Sequence, residues 1–241
     1  MPRMIAADLR GQTRCLLGAI LILSATAARA EIGASLTLAS EDRFRGYSVS
    51  NGYPAATFSL SYDDASGPYV EASVMAAGNF SEGVERYRFE ENAGYALRIA
   101  NGPTIDAGIA HANYSGYRIY GQTAVFTEIY AGLITKHLSA HIHYSPDYFE
   151  RGVAALYSDV DGAIPLTPRI RLSAHYGLLI QTQGSREAAG RTAQDWRMGV
   201  ATDLRNLTFE MALASGAKKR SFYGDARNGG SALLVSVTAA F

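Results

Sequence analysis

The chain has 241 residues, 22 of them basic and 22 acidic, so its formal net charge is zero, and its mean hydropathy is −0.03. This balance gives no basic surface of the kind that binds nucleic acid and no evidence for an acidic substrate. The length allows one sizeable domain. A hydropathy near zero fits a soluble protein, but it also fits a membrane barrel, whose lipid-facing and lumen-facing residues average out.

The first 30 residues have the organisation of a cleaved secretory signal peptide. A stretch with three arginines precedes an apolar run over residues 15–23, and Ala28-Arg29-Ala30 is a small-x-small cleavage site. The apolar run is too short to span a bilayer as a helix, and an uncleaved N-terminal anchor is the alternative. Cleavage would remove the only cysteine, four basic residues and one acidic residue, leaving 18 basic and 21 acidic residues and a net charge of −3. We therefore expect residues 1–30 to be a signal peptide and residues 31–241 to be an exported domain without disulfides.

Apolar and polar residues alternate along most of the exported domain. Within residues 169–180, almost every second residue from Ile170 to Ile180 is large and apolar, a pattern that a helix would scatter around its circumference. The same period of two predicts about twelve strands, at residues 31–38, 55–62, 69–77, 86–99, 104–114, 126–134, 138–144, 152–159, 169–180, 195–202, 207–215 and 233–241. No other apolar run is long enough for a membrane helix, so a membrane-embedded form must be a closed barrel.

The connections between the predicted strands alternate in length. The longer, more polar ones are 39–54, 78–85, 115–125, 145–151, 181–194 and 216–231, and the tighter ones are 63–68, 100–103, 135–137, 160–168 and 202–206. Short periplasmic turns that alternate with longer outside loops are typical of bacterial outer-membrane barrels. A soluble β-sandwich is the alternative fold, but it has no reason to sort its loops in this way. The sequence thus predicts an all-β, antiparallel transmembrane β-barrel of about twelve strands.

The last predicted strand, residues 233–241, alternates and ends on Phe241. This ending resembles the C-terminal signature of bacterial outer-membrane β-barrels. The resemblance implies recognition by the barrel-assembly machinery and insertion among outer-membrane lipid and lipopolysaccharide.

A second resemblance lies in residues 40–54. Ser40-Glu41, Phe44-Arg45-Gly46, Ser48, Ser50 and Pro54 match a segment of the TorF-like porin family of proteobacterial outer-membrane proteins, whereas Asp42-Arg43 and Tyr47 depart from it. The strand Thr127–Leu133 is similar to the family's mid-chain glutamate-aromatic-x-x-Gly strand. The resemblance implies a porin-like role in the bacterial outer membrane and brings no set of functional residues with it.

Charged residues on the polar faces of the strands are the candidate pore lining. They are Glu71, Arg86, Arg88, Glu90, Arg98, Asp106, Glu128, Arg169, Arg171, Arg197 and Glu210. In a water-filled pore these groups set a field for permeating ions. In a narrow barrel they would pair into a polar plug instead, and twelve strands lie between these two cases.

Arg169 and Arg171 are two residues apart and therefore point to the same side of their strand. Pro165 and Pro168 in the preceding turn place them near the periplasmic mouth. Two such charges should favour anions, unless Glu128 or Glu210 pairs with them from another strand.

The histidines raise enzymatic and metal-binding alternatives. His141 and His143 alternate on the polar face of one strand, as His175 does on another, but no carboxylate lies beside them at ligand spacing in the sequence, so we predict no metal and no cofactor. His111 falls on the apolar face, where a lipid-hydrolysing barrel would need a serine–histidine pair, and no serine is assigned to partner it.

Lys218-Lys219-Arg220 lies in a predicted outside loop, where it would be solvated or would bind lipopolysaccharide phosphates. The sequence as a whole predicts a non-enzymatic outer-membrane barrel for passive diffusion of small solutes or ions. The alternatives are a structural barrel without conductance and a barrel enzyme that acts on lipid.

Overall fold

A computed structural model of the protein describes residues 30–79, 81, 83–100, 102–119, 122–184, 191–216 and 230–241. The predicted signal peptide up to residue 29 and Lys218–Arg220 lie outside these ranges. The strands are β1 Glu31–Ala39, β2 Arg43–Phe44, β3 Tyr47–Ser48, β4 Ala55–Asp63, β5 Pro68–Asn79, β6 Gly83–Arg98, β7 Thr104–Ile119, β8 Gln122–Ile134, β9 Leu138–Ser145, β10 Ala155–Pro165, β11 Ile170–Gln181, β12 Thr192–Leu204, β13 Leu207–Gly216 and β14 Ala232–Ala240. Within the described ranges no helix is long and apolar enough to cross a membrane.

Twelve of these strands form one closed antiparallel barrel. From β4 to β14, each strand pairs with the next one in sequence, and β1 closes the ring by pairing with both β4 and β14. The two-residue strands β2 and β3 form a separate hairpin. At the seam, the Phe241 amide donates to the Ala34 carbonyl over 2.9 Å, and the hydroxyls of Thr37 and Thr238 are 2.8 Å apart. Closure leaves no free sheet edge, which confirms the predicted fold class.

The alternation in sequence becomes an outer and an inner surface. Large apolar side chains are exposed on the outside, as Leu213 on β13 and Val235 on β14 illustrate, with 53% and 51% of their surfaces accessible. Their neighbours on the inner face, such as Ala212 and Leu234, are buried. An apolar exterior around a closed sheet is the arrangement that a lipid bilayer requires.

The predicted loop lengths are wrong at two places. β5 and β6 leave only residues 80–82 between them, and β7 and β8 leave only 120–121, where the sequence suggested loops over 78–85 and 115–125. These polar residues belong to longer strands, each interrupted by a register shift, at Ala77/Gly78 and at Tyr114/Arg118. Polarity predicted a loop there, but a strand that extends beyond the apolar band carries polar residues on both faces.

β10 also runs further than expected, to Pro165 rather than to residue 159. Residues 160–165, which we expected in a turn, pair with β11 as far as Arg171. The reason is that Asp161 and Ala163 face inward and are buried, so a polar inner face mimics a turn in the sequence.

Candidate functional site

The loop between β1 and β4 folds into the barrel. We call residues 41–50 the lumen hairpin; β2 and β3 form its arms, with Phe44 opposite Tyr47. Its base is fixed because the Val49 amide donates to the Asp42 carbonyl over 2.8 Å and the Asp42 amide donates to the Ser50 hydroxyl over 2.9 Å. The sequence placed this segment outside, and its inward fold is the main feature that the sequence analysis missed.

The hairpin turn consists of Arg45 and Gly46. Both residues have positive φ, 46° and 79°, as a type I′ turn requires. Asparagine or glycine usually occupies the first of these positions, and an arginine there carries a backbone cost of about 1–3 kcal/mol that its surroundings must offset.

Those surroundings form what we call the guanidinium cage. The Arg45 guanidinium carbon lies 4.0 Å from the ring centre of Tyr157, 4.7 Å from Phe44, 5.3 Å from Tyr148 and 5.9 Å from Phe126. One of its terminal nitrogens, Nη2, donates to both carboxylate oxygens of Glu128, over 2.9 and 2.7 Å. Cation–π attraction and a charge-assisted hydrogen bond therefore act on the same buried cation.

Gly46 brings the hairpin against the opposite wall. A Cβ atom at this position would lie 2.6 Å from the Asp195 Cβ and 2.6 Å from the Gly216 Cα. Together with the Arg45–Glu128 contact, this close approach means that the hairpin tip extends from β8 across to β12 and β13.

The arms of the hairpin are also tied to the wall and to the loop ends. Asp42 and Arg88 form an ion pair of 2.9 Å, in which burial raises the pKa of the Asp42 carboxyl while the Arg88 guanidinium opposes that rise. The Arg43 guanidinium donates to the carbonyl oxygens of Gly46 and Gly230, over 3.0 and 2.6 Å. Burial and the nearby Asp195 carboxylate raise the pKa of Tyr47 to about 12, so this phenol stays protonated at neutral pH.

Three histidines and five carboxylates form what we call the carboxylate–histidine belt on the inner face of β7 to β12. The belt consists of Asp106, Glu128, His141, His143, Asp159, Asp161, His175 and Asp195. Each histidine lies between two carboxylates: His141 is 3.3 and 3.9 Å from Asp106 and Asp159, His143 is 3.0 Å from both Glu128 and Asp159, and His175 is 2.8 and 2.9 Å from Asp161 and Asp195.

The belt joins the guanidinium cage at two points. Glu128 contacts both Arg45 and His143, and the Tyr157 hydroxyl lies 3.1 Å from His175 Nε2. The sequence contained the histidines, but it could not show their carboxylate partners because these lie on neighbouring strands rather than nearby in the chain.

The opposite wall of the lumen is chemically different. Buried inner-face positions on β1, β4, β5, β13 and β14 hold small hydroxyl residues, namely Ser35, Thr37, Thr57, Ser59, Ser73, Thr208 and Thr238. The lumen therefore has one wall rich in buried carboxylates and histidines and one wall whose buried polar residues are mainly serine and threonine.

The structure distributes the other sequence-predicted residues around the lumen as follows. Arg169 is exposed just before β11. The others occupy inner-face positions: Glu71 on β5; Arg86, Arg88, Glu90 and Arg98 on β6; Asp106 on β7; Glu128 on β8; Arg171 on β11; Arg197 on β12; and Glu210 on β13. Arg197 pairs with Glu210 over 2.7 Å, Arg88 lies 3.7 Å from Glu90, and Arg98 donates to the Ala65 carbonyl at the turn. Glu128 and Asp106 belong to the belt, whereas Arg197–Glu210 is a separate pair.

An aromatic layer adjoins the cage. Phe44, Tyr114, Phe126, Tyr148 and Phe149 are buried and pack with ring centres 4.7–6.2 Å apart. The ring contacts join the lumen hairpin and the loop after β9 to the wall strands β7 and β8, so the hairpin and this loop narrow the lumen together.

A cavity of about 120 Å³ adjoins the hairpin tip. Its lining includes Arg45, Glu128, Asp159, Asp161 and Asp195. Within the described part of the chain, Asp159 Oδ1 and Asp161 Oδ2 are buried without a hydrogen-bond partner. Asp159 and Asp161 thus border this cavity, and each has one buried oxygen without a hydrogen bond.

The outer surface carries one polar pair at the position considered for lipid chemistry. His111 Nδ1 lies 2.8 Å from the Thr127 hydroxyl oxygen on the neighbouring strand, and the contact is exposed. The hydroxyl partner is thus a threonine, which the sequence analysis did not consider. Over the described ranges, no group of three or more His, Cys, Asp or Glu residues is arranged to hold a metal ion.

Comparison with solved structures shows that the fold is similar to that of porin barrels. A structure described as "NanC porin structure in rhombohedral crystal form" has a TM-score of 0.56 at 10% identity, over 88% of this chain and 99% of that one. A structure described as "KdgM porin" has a TM-score of 0.53 at 14% identity, over 87% of this chain and 99% of that one. A further structure, "KdgM porin in complex with disordered oligogalacturonate", has a TM-score of 0.51 at 13% identity, over 88% and 99%.

The family follows from the sequence match. The model of the family described as "Bacterial protein of unknown function (Gcw_chp)" matches residues 24–241, so the chain belongs to this family. No curated protein gives a match to this sequence.

Proposed function

We propose that the protein is an outer-membrane channel for passive diffusion of small solutes or ions, narrowed by the lumen hairpin. The observation that carries this proposal is a closed twelve-strand barrel with an apolar exterior and a charged interior. The resemblance of residues 40–54 to the TorF-like porin family supports it further, because that segment contains the lumen hairpin. In this proposal the charged inner-face residues line the permeation path.

Planar-bilayer recording with folded protein tests the proposal. Heat-modifiable migration on a gel first establishes that the barrel is folded. We expect discrete conductance steps that are small, because the hairpin and the aromatic layer occupy much of the lumen. Folded protein that forms no channels would contradict the proposal and favour a structural barrel held together by internal ion pairs.

Localisation is a separate part of the proposal. We expect the exported domain in the outer-membrane fraction, inserted by the barrel-assembly machinery and surrounded by lipid and lipopolysaccharide. Recovery from the periplasm without detergent would contradict this placement.

The solutes that we expect for this protein differ from the ligand of the porin solved with oligogalacturonate. Five buried carboxylates line the belt of this chain, and a polyanion would meet like charge there. We therefore do not extend that ligand to this protein, and we expect neutral or cationic solutes to pass more readily.

The outer-surface pair of His111 and Thr127 supports a second candidate, hydrolysis of lipid. A hydroxyl beside a histidine at 2.8 Å is the start of a nucleophile–base pair, but such a pair also needs a third group that orients the base. Glu91 lies opposite His111 in the β6–β7 register, but no ion pair of His111 is found among the described residues. Release of fatty acid from phospholipid vesicles, abolished by His111→Ala and by Thr127→Val, would favour the enzyme over the channel.

A further inference from the structure

We propose that the guanidinium cage is a binding site for the cationic group of a small organic cation, and that the Arg45 side chain occupies it in the present conformation. This inference deepens the proposed channel function and rests on it for the role of the site in permeation. The ligand class is a guanidinium, or an ammonium of similar size.

The chemistry of the cage supports this ligand class. Four aromatic rings within 6 Å of one cation, with a carboxylate on its edge, form the arrangement that recognises organic cations in proteins. Tyr157, Phe126 and Glu128 belong to the barrel wall, so these parts of the cage do not depend on the hairpin. Only Phe44 and the occupant Arg45 come from the hairpin itself.

The backbone of Arg45 gives an independent reason to regard it as an occupant. Its φ of 46° lies in the left-handed region, which glycine adopts without cost and arginine does not. A turn that needed only to close the hairpin would be better served by glycine or asparagine at this position. The arginine is therefore explained by what its side chain contacts rather than by the turn.

The cavity beside the cage shows where a competing cation would come from. It opens onto Arg45 and Glu128 and is lined by Asp159 and Asp161. Asp159 Oδ1 and Asp161 Oδ2 are buried and accept no hydrogen bond from any described residue, although Asp159 Oδ1 lies 3.9 Å from His141 Nδ1. The carboxylates that line the cavity favour a cation there, next to the occupied cage.

The test uses the full exported domain with Arg45→Gly. Glycine suits the positive φ of this position, so the variant empties the cage while keeping the turn favourable. The unfolding temperature, read from heat-modifiable migration, is measured in millimolar guanidinium chloride, in KCl at equal ionic strength and in urea, the neutral analogue of guanidinium. We expect guanidinium to raise the unfolding temperature of this variant by about 2–4 °C relative to KCl and urea.

The matched control is Arg171→Gly, which also removes one positive charge from the lumen but leaves the cage occupied by Arg45. It should respond equally to guanidinium and KCl. An equal response of Arg45→Gly to guanidinium and KCl would overturn the proposal. If Arg45→Gly folds poorly, its refolding yield in the three solutions is the readout, and rescue by guanidinium alone would support the site whereas equal failure in all three would overturn it.

Failure of the channel proposal can be distinguished from failure of the binding-site proposal, because the unfolding temperature does not depend on conductance. A selective guanidinium effect in a protein without channels would keep the binding site and reject its role in permeation. Where channels exist, Arg45→Gly should shift the reversal potential under a guanidinium–potassium bi-ionic gradient toward guanidinium. Arg171→Gly should leave the preference between guanidinium and potassium unchanged.

Discussion

Arg171 on β11 donates from Nη1 to Asp203 Oδ2 on β12 over 3.1 Å. The same carboxylate accepts a hydrogen bond from the Thr208 hydroxyl over 2.9 Å. The sequence suggested that Arg169 and Arg171 would act together as a positive pair at the periplasmic mouth, with Glu128 or Glu210 as possible partners. Instead, Arg171 is paired by Asp203, and Arg169 is exposed just before the strand.

This arrangement predicts different effects for the two arginines. Arg171→Ser should leave Asp203 without its cation and shift the reversal potential in a KCl gradient toward cations. Arg169→Ser, the matched control, should change it much less because its charge is exposed and screened by salt. Equal shifts in the two variants would mean that the Arg171–Asp203 pair does not decide the local field.

Gly46→Ala should displace the lumen hairpin. The new Cβ would meet the Asp195 Cβ and the Gly216 Cα at 2.6 Å, contacts that cost about 1–3 kcal/mol when the structure cannot relax. We expect a lower unfolding temperature together with a larger single-channel conductance.

The control for Gly46→Ala is Gly152→Ala. Gly152 has nearly the same φ, 78°, but no heavy atom lies within 4 Å of its added Cβ. This variant carries the backbone cost alone, so its conductance should match that of the wild type. A conductance increase in both variants would point to the backbone rather than to the close approach across the lumen.

Glu128→Gln should destabilise the folded barrel. The exchange leaves the buried Arg45 guanidinium without its carboxylate, and loss of one partner of a buried ion pair costs about 3–5 kcal/mol. The unfolding temperature in detergent measures the effect. Glu150→Gln makes the same chemical change at an exposed loop position and should leave that temperature unchanged; a comparable loss there would show that the Arg45–Glu128 contact contributes little.

Met211→Arg tests whether the apolar exterior faces lipid. Met211 lies in the middle of β13 with 52% of its surface exposed, and arginine near the bilayer midplane costs about 2–4 kcal/mol. Folding yield in lipid vesicles should fall. Leu204→Arg, at the end of β12 beside a turn, should be tolerated because the cost declines toward the interface, and equal tolerance of both variants would argue against a membrane-spanning β13.

The barrel could be predicted from the sequence because its strands are recognised by one pattern, the alternation of apolar and polar residues with a period of two. Ile170 to Ile180 and Leu233 to Phe241 alternate so regularly that facing lipid on one side and lumen on the other explains both. Strand ends were less predictable, since Asp161 faces a buried interior and yet looks like a turn residue in the sequence.

The site was largely hidden in the sequence. Arg45 and Glu128 are 83 positions apart and meet only because the hairpin folds inward. A signal did exist, because Phe44, Tyr47 and Val49 are too apolar for a loop in water, and all three are buried. The ion pairs between strands depend on the register of the barrel, which alternation alone does not fix.

The lumen hairpin follows β1 directly, and β1 pairs with β14, the last strand, at the seam. Its tip nevertheless contacts Gly216 at the end of β13, and Arg43 contacts Gly230 just before β14. The hairpin therefore ties the first strand to both ends of the connection between the last two strands. It adds contacts across the seam to the hydrogen bonds between β1 and β14, so the closure of the barrel and the position of the hairpin support each other.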